Sequence, residues 1–136
     1  LKWEAQSLIV FIKKFLLIKS KEKMTKINEN VAIQFVKGEN EKDQPEIRLF
    51  RNLDGKKGKA VYKFCKPTTI TLTNYKSVQR MFLIDSEGVL STKKIDLSIS
   101  EDHVKEVKST YNWNSEEEFE RFMRFASRYA NSLPKN

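Results

Sequence analysis

Between Val31 and Trp113 the apolar residues recur at every second position, in short runs cut by turn residues. A period of two is the signature of strands with one face buried. VAIQFV (31–36) is β-branched and ends at Lys37-Gly38, followed by the charged, Pro-containing loop ENEKDQP. In EIRLFR (46–51), Ile47 and Leu49 fall on one side and Arg48 and Phe50 on the other. NLDGKKG (52–58) is a turn centred on Asp-Gly, and KAVYKFC (59–65) puts Ala60, Tyr62 and Phe64 on one face. That pattern predicts a hairpin of 46–51 with 59–65. TITLT (69–73) reads as a short strand after Pro67. SVQRMFLID (77–85) reads as another, turning at Ser86-Glu87-Gly88 into VLSTKKIDLSIS (89–100), where Ile95, Leu97 and Ile99 share a side. HVKEVKSTYNW (103–113) reads as a weaker strand. Consecutive tight turns imply antiparallel pairing.

At Ser115 the period changes. Ser115-Glu116-Glu117-Glu118 is a capping box, with acidic residues where the helix dipole favours them. Phe119, Phe122, Met123, Ala126, Ala130 and Leu133 then form one apolar stripe at helical spacing, and Pro134 stops it. Glu117 and Arg121, and Glu120 and Arg124, stand at i,i+4 on the outer side. The predicted class is α+β: an antiparallel sheet of about five to six short strands, with a C-terminal amphipathic helix packed against it.

A chain of 136 residues suits one domain, at about 100–200 residues each. Its single Cys excludes a disulfide framework, and one Cys with one His cannot build a structural zinc site. The expected compartment is therefore reducing. The formal charge is +8, but residues 1–23 carry +4 of it, with six Lys and two Glu. The remainder is only mildly basic, which weakens a nucleic-acid reading taken from the whole-chain charge.

Residues 1–23 stand apart from the expected domain, 24–136. LIVFIKKFLLI (8–18) is eleven residues long and holds two lysines, whereas a spanning helix needs about 20 apolar residues. It is also a poor secretory signal. As a helix it could lie on an anionic membrane surface or dock on a partner. The expected reading is the blander one, that the natural start is Met24, in KEKMTKINEN, with 1–23 upstream of it.

Little chemistry is available. Cys65 reads as a small core or edge residue, and His103, beside Asp102, as a solvent-exposed turn residue. Glycines 38, 55, 58 and 88 lack phosphate-binding spacing, and no metal-ligand spacing appears. No catalytic, cofactor-binding or metal residue is assigned, and no cofactor is expected. The basic hairpin (Arg48, Arg51, Lys56, Lys57 and Lys59) is the candidate partner-binding set; it could hold phosphates or an acidic loop, or simply be solvated. Arg121, Arg124 and Arg128 follow one helix side, facing Glu117 and Glu120 or a partner's carboxylates.

Several separated strings carry a resemblance: IQFVKG (33–38), PEIRLFR (45–51), GKAVYKF (58–64), MFLIDSEG (81–88), the following STKK, and RFMRFASRYA (121–130). Over about residues 31–133, in order and spacing, the chain resembles the photosystem II reaction-centre W protein, or "Psb twenty-eight", assembly-factor family. Family chains begin just before the IQF strand and commonly carry a bulkier residue where Ala126 stands. The resemblance implies a small extrinsic, non-catalytic protein peripheral to the thylakoid membrane on the stromal side, or the cytoplasmic side in a cyanobacterium. It implies transient binding to photosystem II core subunits, the inner core antenna and reaction-centre proteins, during assembly or repair. It further implies support of chlorophyll-protein biogenesis, a monomer, and a plastid setting. The competing reading is a small basic nucleic-acid-binding domain, and an enzyme is disfavoured by the missing residue set.

Overall fold

The computed structural model describes the backbone of residues 3–7 and the chain from 30 to 134. The reading of 8–18 as a helix lies outside the described residues. Among the described residues nine strands form two antiparallel sheets rather than one. The first holds β1 (Trp3–Ser7), β4 (Glu46–Asn52), β5 (Gly58–Phe64), β9 (Val104–Trp113) and β8 (Ile95–Ile99), in the order β1-β4-β5-β9-β8. The second holds β2 (Ala32–Val36), β3 (Glu39–Asn40), β6 (Met81–Asp85) and β7 (Gly88–Thr92), in the order β3-β2-β6-β7. Among the described residues one helix, α1 (Glu116–Ser132), follows β9. The α+β class and the helix are as expected.

The predicted hairpin forms as β4–β5, with Leu49 opposite Ala60 and Arg51 opposite Gly58. Gly55 takes φ +77 in its turn, a conformation that favours glycine. Gly58 is fixed by space instead: a Cβ there would lie 2.3 Å from Cζ2 of Trp113 and 2.6 Å from the Phe50 carbonyl oxygen. Only a residue without a side chain lets β5 run this close to the Trp113 ring.

Four strand expectations need correction. TITLT is not a strand: Thr71 and Asn74 fold it into turns that lead to a single 3-10 turn at Tyr75–Ser77. The strand expected over 77–85 begins only at Met81. The run 89–100 is two strands, broken at Lys93-Lys94, where the chain leaves one sheet for the other. The supposedly weak 103–113 is the longest strand of the described residues and lies between β5 and β8.

The two sheets and the helix share one core. Ile33, Phe35, Met81 and Leu83 come from one sheet; Leu49, Ala60, Tyr62, Phe64, Val107 and Trp113 come from the other. Phe35 meets Phe64 edge-on at 5.1 Å, which joins the sheets directly. The helix packs on β6 and β9. Its Ser115 hydroxyl accepts the Glu118 N–H at 3.1 Å, and Glu118 Oε1 accepts the Asn114 N–H, so the predicted cap forms. Phe119, Phe122, Met123 and Ala126 are buried as expected. Phe125, Ser127 and Tyr129 are buried too, because a helix seated on two sheets needs a wider face than one stripe.

Candidate functional site

The five basic residues do not form one patch. Directly paired residues share a face of a sheet, so Arg48 and Phe50 stand with Val61 and Lys59 on the outer face. There the Lys59 ammonium lies over the Phe50 ring at 5.4 Å, and Arg48 pairs with Glu46 at 3.2 Å while both stay exposed. Arg51 is on the opposite face, its guanidinium 5.3 Å above the ring of Phe119 at the helix start. Lys56 and Lys57 are exposed in the turn. The turn itself is rigidly bonded: the Asn52 N–H donates to the Lys57 carbonyl at 3.0 Å, and Asp54 Oδ1 accepts the Lys56 N–H at 2.8 Å. Leu53, at 74% exposed, tops it. Lys56, Lys57 and Arg48 are thus presented outward, Lys59 lies along the sheet face, and Arg51 braces the hairpin against α1.

The flank of this hairpin is covered by β1, the outer strand of the sheet. β1 runs antiparallel along β4, with Trp3 opposite Asn52 and Ser7 opposite Arg48. On the far side of the same sheet β8 is the outer strand, and β3 and β7 are the outer strands of the second sheet.

The arginines of the helix do not wait for a partner's carboxylates; they meet the chain's own. The Asp85 side chain is fully buried and accepts two bonds from Arg121, at 2.9 and 2.7 Å, and one from Arg128 at 3.0 Å. Glu87 takes both the Nε and Nη2 hydrogens of Arg124, at 2.8 and 3.0 Å, and a bond from Arg128. Burial works to raise the Asp85 carboxyl, but the bonds from Arg121 and Arg128 and the Arg121 charge hold it below its ordinary value. The Arg124 bond, against a smaller effect of burial and with help from Arg128, holds Glu87 at about 2. This clamp locks the β6–β7 turn to α1. Sequence reasoning missed it because its halves lie 36 or more residues apart.

A second buried carboxylate was also missed. Glu41, 6% exposed, accepts the backbone and hydroxyl hydrogens of Thr68 and Thr69 at 2.6–3.0 Å, and the Asp43 N–H at 2.9 Å. Burial acts to raise its pKa, and these bonds together lower it. It is a structural cradle, with every acceptor turned inward.

His103 is exposed in its turn as expected, its Nδ1 2.6 Å from Asp102 and 2.9 Å from the Ser100 hydroxyl. Both neighbours meet the same ring nitrogen, so the three do not make the relay a hydrolytic triad requires. Cys65 is exposed, not in the core: β5 ends at Phe64, and Cys65 falls just past it. Among the described residues no His, Cys, Asp or Glu group has the arrangement to hold a metal ion. No helix among them is long and apolar enough to cross a membrane.

This geometry sits within a known lineage. Residues 33–133 match the family described as Psb28 protein. The protein named "Photosystem II reaction center Psb28 protein" from Prochlorococcus marinus strain NATL2A is 96% identical over 113 residues, covering 83% of this chain and all of the relative. Its namesake in strain NATL1A is equally similar, and that of Synechococcus sp. strain CC9311 is 39% identical over 101 residues, 74% of this chain and 79% of its own. Two of the strings that first pointed to the family, MFLIDSEG and RFMRFASRYA, are the two halves of the Asp85/Glu87–arginine clamp. On these matches the chain belongs to the Psb28 protein family.

Proposed function

We propose that this chain is a non-catalytic extrinsic protein that binds photosystem II assembly or repair intermediates at the thylakoid and leaves the mature complex. The observation that carries this reading is the 96% identity, across a relative's whole length, to a protein named for the photosystem II reaction centre. The Prochlorococcus and Synechococcus relatives are cyanobacterial, which favours the cytoplasmic side of a cyanobacterial thylakoid over a plastid stroma. The partners are the inner core antenna and reaction-centre proteins, and the chain acts as a monomer. Neither nucleic acid nor a small-molecule substrate takes part.

Two features of the fold suit such a partner. Extended tails and loops of a membrane complex can add a strand to a sheet edge through main-chain hydrogen bonds. Exposed Arg48, Lys56 and Lys57 at the hairpin can steer encounter with acidic loops. Affinity purification of the tagged chain from thylakoids, with identification of what comes with it, tests the reading. Photosystem II core proteins are the expected catch; their absence, with nucleic acid in their place, overturns it. Reversing the three exposed charges is expected to slow association and flatten its salt dependence. An unchanged rate and salt slope would make the hairpin a solvated turn.

A further inference from the structure

Strand β1 lies wholly outside the residues that match the family, and yet it is built into the sheet. All five of its residues are in register with β4, from Trp3 opposite Asn52 to Ser7 opposite Arg48. On the hairpin side of β4 the Asn52 N–H already donates to Lys57. Backbone groups alternate along a strand, so the amides of Arg51 and Leu49 point the other way, toward β1. Trp3–Ser7 thus occupies the hydrogen-bonding row that an incoming strand would need on this side of the sheet. Twenty-two residues, 8–29, connect it to the rest of the chain.

We propose that residues 3–7 are an intramolecular competitor for the β4 edge, holding it closed against an extended segment of a photosystem II subunit that must displace them to bind. This rests on the strand-addition reading above. A competitor that fills the edge about nine-tenths of the time weakens binding about tenfold, because only the open fraction can accept the partner.

The test uses the full chain and its Ala5→Pro/Gln6→Pro variant. Neighbouring amides point to opposite sides of a strand, so the pair removes at least one ladder donor whichever way β1 faces. The probe is photosystem II assembly complexes isolated from cyanobacterial thylakoids, with affinity and amide hydrogen exchange at Leu49 and Arg51 as readouts. The expected result is about tenfold tighter binding by the variant. Its Leu49 and Arg51 amides should exchange faster than wild type when unbound, and become protected again in the complex. A chain beginning at Met24 should behave like the variant, which guards against an effect of the prolines elsewhere. Equal affinities, or no faster exchange in the unbound variant, overturn the competitor. If the variant's two amides gain no protection in the complex, the strand-addition reading itself falls.

Discussion

The hairpins β4–β5 and β6–β7 turn on similar sequences, Asp54-Gly55 and Asp85-Ser86-Glu87-Gly88, and use their charge in opposite ways. At the first, the Asp54 carboxylate meets a backbone amide of its own turn, and the lysines beside it face solvent. At the second, Asp85 is buried beneath two arginines and Glu87 holds a third. The local signal in the two turns is the same. What separates them is position relative to α1: β6 packs against the helix side that carries Arg121, Arg124 and Arg128, while the β4–β5 tip reaches beyond the sheet. Charge matched inside the fold stabilises it, and charge left outside is available to a partner.

The scale for losing apolar packing alone is set by Phe122, whose ring contacts Tyr62, Tyr111 and Trp113 and is fully buried. Phe122→Ala should cost about 3–5 kcal/mol in denaturant unfolding. Asp85→Ala should come close behind, at about 3 kcal/mol. That is the low end for breaking a buried ion pair, because Arg121 and Arg128 keep some solvent contact at 18% and 24% exposure. A loss below about 1 kcal/mol would erase the distinction between the two hairpins.

Smaller and pH-dependent is the effect of Glu87. Its carboxyl is held at about 2 against an ordinary 4.5, so its contribution is present above the ordinary value and is lost as pH falls toward 2. Melting temperature should therefore drop less between pH 5 and pH 2.5 in Glu87→Gln than in the wild type; parallel curves would show that Arg124 and Arg128 add nothing there. The smallest change belongs to the other hairpin. Lys56→Glu/Lys57→Glu should leave stability within about 0.5 kcal/mol, as exposed turn substitutions do. A larger loss would mean that the tip's charge is structural after all.

The local elements were legible in the sequence: the β4–β5 hairpin, the Ser115 cap and the helix stripe each depend on neighbours within a few residues. The errors have physical causes. Thr68 to Thr73 has strand-like composition, but its hydroxyls and amides bond Glu41 and the nearby backbone, offering the chain turns instead of a ladder. β9 looked weak because a register shift opposite Ser98 and Ile99 separates Val104 from Val107 by three positions, spoiling the alternation. The break at Lys93-Lys94 has no Gly or Pro to announce it. It is made by partners far along the chain: the Lys94 carbonyl accepts from Thr110 and Ser109, and the Thr92 hydroxyl donates to the Thr110 carbonyl. In the candidate site, Arg48 and Arg51 were grouped in one basic set; three positions apart on β4, they fall on opposite faces.

The place of β9 between β5 and β8 has a kinetic consequence. Both hairpins close between near neighbours, on the scale of about 1–10 μs for such units. Pairing Gly58 with Trp113 must instead close a loop that contains the whole of β6, β7 and β8. Loop-closure entropy places that step late, so assembly of the five-stranded sheet waits for the last strand to be synthesised and docked. In pulse-labelled refolding, the amides of β4 and β6 should gain protection before those of Thr110 and Asn112. On the ribosome, the chain would keep the inner edge of β5 open until its C-terminal quarter emerges.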